Sequence, residues 1–151
     1  MKLSTKGRYG LRALIDMAVH SEEEAVSISS VSARQGISES YLEQLVRRLK
    51  KAGLVTSIRG AQGGYRLAKP ASEISVGDIL RALEGNLEAV ECSGLSEERN
   101  CEDADFCVAK YVWQRINDSI TEAVDGITLD QLIEESKKTK AKKSRTIKCE
   151  S

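Results

Sequence analysis

Three cysteines, Cys92, Cys101 and Cys107, fall within sixteen residues of an acidic, irregular stretch, spaced Cys-x8-Cys-x5-Cys. Thiolates are soft ligands that favour iron–sulfur clusters, zinc or Cu(I). The spacing is looser than the paired Cys-x-x-Cys of zinc ribbons and fingers. It suits an iron–sulfur cluster held by an irregular loop, and does not itself tell [2Fe–2S] from [4Fe–4S]. Structural zinc, a metal-free thiol sensor and idle thiols are the competing readings. The fourth ligand is open among Cys149, Asp103, Asp105, the lone His20, and an exogenous thiol or water. His20 ends a predicted helix, where an imidazolium balances the helix dipole. Cys149 reads as an idle thiol.

A second chemistry lies upstream. Residues 1–70 carry 12 Lys/Arg against 6 Asp/Glu, residues 71–136 carry 4 against 16, and residues 137–151 carry 7 against 1. The formal net charge of zero hides this alternation. A basic first half points to a polyanion, because neutralising phosphates releases counterions.

The elements that must position these groups follow from periodicity and stop signals. Residues 5–20 read as a helix with Leu11, Leu14, Ile15 and Ala18 on one stripe. Residues 28–35 form a second helix between a Ser27 cap and a Gly36 stop. Residues 39–52 form a third, with Leu42, Leu45, Val46 and Leu49 inward and Glu43, Gln44, Arg47, Arg48 and Lys50 mostly outward. Leu54 to Ile58 and Tyr65 to Ala68 flank the glycine-rich turn Arg59-Gly60-Ala61-Gln62-Gly63-Gly64, which makes a β-hairpin. A fourth helix covers 75–84. A long helix from about 104 to 124 carries a wide apolar stripe including Val112, Trp113, Ile116 and Ile120, and reads as a dimer helix. Thr128 and Gln131 have capping-box spacing, with Ile127 and Leu132 as a staple, ahead of a short helix over 129–135. The lysine-rich tail lacks apolar periodicity and reads as disordered.

The expected fold is mainly α with a small β-wing. Residues 1–84 make a winged helix-turn-helix domain, 85–103 the cysteine loop, 104–135 the dimerisation helix and its short partner, and 136–151 the tail. In such a fold the second helix of the pair lies in the major groove with its N-terminal residues on base edges. Those residues are Ser38, Ser40, Tyr41, Glu43 and Gln44, with Arg47 behind them on a phosphate or base. Glu43 can accept from a cytosine amino group. Ser40 and Glu43 also have capping-box spacing. At the wing tip Gly60 and Gly63 let the backbone approach phosphate, and Arg59 can enter the minor groove.

Thr5-Lys6-Gly7-Arg8-Tyr9, Ser40-Tyr41-Leu42-Glu43-Gln44-Leu45, and Ile58-Arg59-Gly60 through Gly63-Gly64-Tyr65 resemble the family of IscR, NsrR and CymR. These are bacterial winged-helix regulators, several with iron–sulfur clusters. The likeness runs from Met1 to about Glu135. It implies a homodimer, a long crossing helix, a cluster loop between wing domain and dimer helix, and DNA contacts at Ser40, Glu43 and Arg59. The chain departs from the family pattern in three places. The first cysteine gap exceeds the usual five residues. Lys110 stands where a ligating histidine is found, and Arg8 where other members place an acidic ligand. A protonated lysine is a poor ligand, and incomplete protein ligation leaves a cluster labile.

The expected function is a DNA-binding transcriptional regulator, a repressor of iron–sulfur assembly or of sulfur and cysteine metabolism, acting on a double-stranded operator. The alternatives are a CymR-like cluster-free regulator controlled by a sulfur-metabolism enzyme, and a zinc-stabilised interaction module. An enzyme is not expected, because one histidine and no nucleophile–base pair leave nothing to run catalysis. Only 4% of residues are aromatic, so the monomer's own core is thin and a second chain can complete it. No apolar run approaches the roughly 18 residues of a membrane span. The N-terminus lacks a signal-peptide apolar region, so a cytoplasmic location is expected.

Overall fold

The computed structural model describes residues 3–89 and 107–149. Six helices, a two-stranded hairpin and one 3-10 turn follow each other along the described chain. Cys92, Cys101, Asp103 and Asp105 lie outside the described residues, as does the expected helical stretch 104–106.

Helix α1 (Thr5–His20) starts at Ser4, whose hydroxyl accepts from the Lys6 amide at 3.2 Å. Helix α2 (Ile28–Gln35) starts at Ser27 and stops at Gly36, which takes the left-handed conformation at φ 65. Helix α3 (Glu39–Lys51) buries Leu42, Leu45, Val46 and Leu49, the i, i+3, i+4, i+7 stripe of its sequence. Strands β1 (Val55–Ile58) and β2 (Gly64–Leu67) pair antiparallel, with Val55 opposite Leu67 and Ile58 opposite Gly64. Val26 adds an isolated antiparallel bridge to β2, exchanging hydrogen bonds of 2.8 Å with Tyr65 in both directions. The wing is thereby tied to the segment that leads into α2.

After the 3-10 turn (Ala71–Glu73), helix α4 (Val76–Glu84) begins with a complete capping box, in which Ser75 and Asp78 exchange 3.0 Å bonds. It packs closely on α1. A Cβ at Gly10 would overlap the Leu83 side chain, so only glycine permits this approach. Glu84 closes the start of α1, where its Oε1 accepts from the Ser4 amide at 3.0 Å, the Ser4 hydroxyl at 2.5 Å and the Gly7 amide at 2.9 Å.

Helix α5 (Ala109–Asp125) has no buried residue, and Tyr111 and Val112 are 74% and 52% exposed. Val112, Ile116, Ile120 and Ala123 line an apolar groove along it. The α5–α6 turn is clasped to the domain. Val76 N donates to Ile127 O and Leu129 N to Ile74 O, both at 2.8 Å. Leu129 and Ile133 of helix α6 (Leu129–Cys149) join the same core as Leu14, Leu45 and Leu49. Residues 1–84 therefore do not enclose that core alone. A fully buried leucine is worth about 1.5–3 kcal/mol, so Leu129 is a substantial part of it.

Two expectations are corrected. The last helix does not end at 135, and the tail is not disordered over 136–149: α6 continues to Cys149. Lys, Glu and Ala are good helix formers, and no Gly or Pro follows Gly126 to stop the helix. Nor does Thr128 form a box with Gln131. Its hydroxyl donates to the Asp130 carboxylate, and Ile127 is 40% exposed rather than stapled.

Candidate nucleic-acid interface and cysteine segment

The sequence at the start of α3 dictates its local geometry. Ser38, not Ser40, is the cap, and its Oγ accepts from the Tyr41 amide at 3.3 Å. The Ser38 hydroxyl still has its own O–H to donate. Ser40 and Glu43 are thus released from the capping box their spacing suggested. Ser40, Glu43, Gln44 and Arg47 all stand exposed on the outer face of α3. Tyr41 is half-buried, its hydroxyl donating to Thr5 Oγ1 at 3.2 Å and its ring meeting Tyr9 edge-on at 6.3 Å. It positions α3 against α1 more than it offers itself to a ligand.

The wing stands beside this helix. Lys50 Nζ donates to Ser57 Oγ at 3.0 Å, bridging α3 to β1. Arg59 is exposed at the tip. Gly60 adopts φ +116, which L side chains rarely take, and Gly63 N donates to Gly60 O at 3.0 Å. A Cβ on Gly63 would collide with the Ile58 carbonyl oxygen. Both glycines are therefore required by the turn itself, and the turn presents Arg59 and a 39%-exposed Ile58 to solvent.

One cationic feature is not evident from the sequence. Gln44, Arg47, Arg48 and Lys51 line an open groove between α3 and Ala82 of α4. Gln44, Arg48 and Lys51 stand at i, i+4 and i+7, so the stripe is visible in the chain, but nothing local says which neighbour it faces.

Behind the interface, α1 and α2 are held by an ion pair whose acid is buried and whose base is part-exposed. Asp16, 6% exposed, accepts from Arg34 Nη2 at 2.7 Å, Arg34 Nε at 3.0 Å and Gln35 Nε2 at 2.9 Å. Burial pushes the Asp16 carboxyl up, but hydrogen bonds from Arg34 and Gln35 and the Arg34 charge outweigh it, leaving the group below its ordinary value. His20 Nδ1 lies 2.8 Å from Asp16 O at the end of α1. That placement gives it a structural role and no cysteine partner among the described residues. Arg8 is exposed and Lys110 half-buried, so neither expected ligand position offers an acid or imidazole.

The cysteine segment is anchored at both ends to α5. On the way in, Leu87 packs on Val76 and Leu80 in a small cluster that also touches Ile120 and Val124, and Ala89 N donates to Asn117 Oδ1 at 2.8 Å. On the way out, Cys107 is a half-buried free thiol two residues before α5 begins. Asn117, the anchor of Ala89, lies roughly 15 Å along the helix direction from Cys107, at 1.5 Å per residue. Cys107 is the one described member of the three-thiolate set. As a donor set, three cysteines fit a cluster or a soft metal.

Comparison with known proteins agrees with this geometry. The Rrf2 family model, described as an iron-dependent transcriptional regulator, matches residues 3–135. The HTH-type transcriptional regulator IscR of Pectobacterium carotovorum is 45% identical over 133 residues, covering 88% of this chain and 79% of that protein. IscR of Escherichia coli O1:K1 is 43% identical over 133 residues, at 88% and 80% coverage. Among solved structures, the global cysteine regulator CymR of B. subtilis superposes with a TM-score of 0.74 at 43% identity, covering 89% of this chain and 98% of that one. IscR of T. potens superposes at 0.72 and 46% identity, covering 90% and 88%. With a winged reading head built as the helix-turn-helix pattern requires, and relatives of this closeness over nearly nine-tenths of its length, the chain belongs to the Rrf2 family of DNA-binding transcriptional regulators.

Proposed function

We propose that this regulator is a homodimeric repressor of iron–sulfur assembly or of sulfur and cysteine metabolism genes, with Cys92, Cys101 and Cys107 as ligands of an iron–sulfur cluster, [2Fe–2S] ahead of [4Fe–4S]. The observation that carries the reading is the anchoring of the cysteine segment to α5 at Asn117 and Cys107. α5 is also the helix with the uncovered apolar face that a second copy fits. A restraint on residues 90–106 would act directly on the helix that sets the distance between two reading heads. Two recognition helices grip successive major grooves only at one spacing, so a small change in that angle shifts operator affinity.

A bound cluster would supply thiolate–iron bonds that form and break with iron supply and oxidants. The chain's own residues do the rest. Ser40, Glu43, Gln44 and Arg47 face base edges and phosphates, with the Ser38 hydroxyl at the helix start. Arg59 is held out by the Gly60–Gly63 turn for the minor groove. Tyr41 keeps α3 in register with α1.

The test is an anaerobic absorption spectrum with iron and sulfide counts on the wild type and on Cys92→Ala. A coloured wild type with iron and sulfide, and a colourless variant, is the expected result. An iron-free, sulfide-free wild type that still binds its operator would favour the second reading. In that reading the chain, structurally similar to the global cysteine regulator CymR, is cluster-free and answers instead to a protein partner, a sulfur-metabolism enzyme.

A further inference from the structure

Helix α6 runs past the region that the family model matches. The family model ends at residue 135, whereas the helix continues to Cys149. Residues 137–151 carry seven Lys/Arg against one Asp/Glu, and Lys137, Lys138, Lys140, Lys142 and Lys143 are all exposed. In a disordered tail these would be a loose cationic arm. On a helix they form a cationic rod whose place is fixed by its root, with Lys138 and Lys142 on one face and Lys140 and Lys143 on another.

That root lies beside the reading head. Ile133 is buried in the core, and Lys137 Nζ donates to Glu22 Oε1 at 2.9 Å. One turn on, Ser136 and Lys140 share a cavity of about 180 Å³ with Arg12 and Gln35. Arg12 donates to Gln35 O at 3.1 Å, at the turn between α2 and α3. Its guanidinium lies 5.5 Å from the centre of the Tyr9 ring, and Tyr9 meets Tyr41 of the recognition helix. Arg12 and Lys140 thus line one cavity beside the α2–α3 turn, together with Asp16, His20 and the apolar Ile15 and Val19. Beyond Lys140 the described lysines are Lys142 and Lys143, and the sequence holds no acidic residue before Glu150. Glu22 and Glu135 engage the first two lysines, Lys137 and Lys138.

We propose that the basic extension of α6 is a second DNA-binding element, which holds the phosphates flanking the operator without reading sequence. The inference rests on DNA binding by the winged head. Lysine suits the role as a compact point charge that meets phosphate from many rotamers. Because the lysines lie on a helix rooted in the core, the cost of ordering their backbone is met on folding and not on binding. An acidic protein surface is the other chemistry that could match these lysines. The root of α6 beside Arg12 and the α2–α3 turn, on the same domain as the recognition helix, favours the duplex.

The test uses the full-length chain with Lys138, Lys140, Lys142 and Lys143 changed together, once to Gln and once to Arg. Gln keeps helix propensity, so circular dichroism should be unchanged. The probe is a labelled duplex of mixed sequence, about 40 base pairs long, titrated across a potassium chloride series. The Gln variant should bind at least about tenfold more weakly at low salt, and its log K against log[salt] should flatten by about 0.9 for each phosphate it no longer neutralises. The Arg variant should match the wild type. A Gln variant with the wild-type slope overturns the proposal and leaves the lysines to an acidic protein. Equal weakening in both variants overturns it too, since packing and not charge would then be at issue. A wild type that ignores the duplex would sink the DNA reading itself along with this one.

Discussion

Arg81 of α4 and Asp125 of α5 meet as a bidentate pair, Nη1 to Oδ1 at 2.8 Å and Nη2 to Oδ2 at 2.9 Å. Both side chains remain about 40% exposed, so the pair orients the two helices more than it stabilises the protein. The Arg81 hydrogen bonds hold the Asp125 carboxyl below its ordinary range. Gly77 makes room for the pair, since a Cβ there would collide with the Asp125 carboxylate and crowd the Arg81 guanidinium.

Gly77→Ala should therefore push Asp125 aside and loosen α5 from the reading head. Alanine is the better helix former by about 1 kcal/mol, so thermal stability should change little. Operator affinity should fall about fivefold or more, the low end of ordinary coupling energies. Parallel melting and anisotropy titrations separate the two effects. An unchanged affinity would show that the α4–α5 angle does not matter to DNA.

Asp16 predicts an acid limb in stability. Its folded pKa lies below the ordinary 3.8, so its contribution is complete above that value and is lost as pH falls through the lower, folded one. Urea unfolding of the wild type should weaken on acidification below about pH 4. Asp16→Asn should lack that component. At neutral pH Asp16→Ala should cost about 2–3 kcal/mol, less than a fully buried pair because the Arg34 side chain keeps 33% of its surface in water. Identical acid limbs in wild type and Asp16→Asn would refute the assignment.

Arg59→Ala tests the wing. If Arg59 reads a base or a narrow minor groove, the change should weaken operator binding by ~1–3 kcal/mol while non-specific affinity shifts less. Equal weakening on operator and on scrambled duplex would make it a phosphate contact only.

The helix-turn-helix is legible in the sequence because its signals are local. Ser27, Gly36 and the Leu42–Leu45–Val46–Leu49 stripe each speak within one turn or two of helix. The cap of α3 is ambiguous by two residues, because Ser38 and Ser40 are both good caps and only tertiary placement decides between them. The end of α6 escapes a reading that takes periodicity as the sole helix signal. Past Ile133 the helix is carried by propensity, with no apolar stripe to reveal it. Of the DNA face, the outward positions of α3 and the wing tip can be found from spacing. The Arg48–Lys51 groove, the Lys50–Ser57 bridge and the Glu84 closure of α1 depend on approaches between separate segments, which no short window contains.

The backbone clasp between Ile74 and Leu129 bears on how the protein is made. A chain emerging from the ribosome displays its whole reading head long before Leu129 and Ile133 are synthesised, yet those two residues fill the head's interior. A nascent or truncated fragment lacking them keeps an open apolar socket. The order of the chain thus makes the interior of the DNA-binding head wait for α6, the last helix to be synthesised.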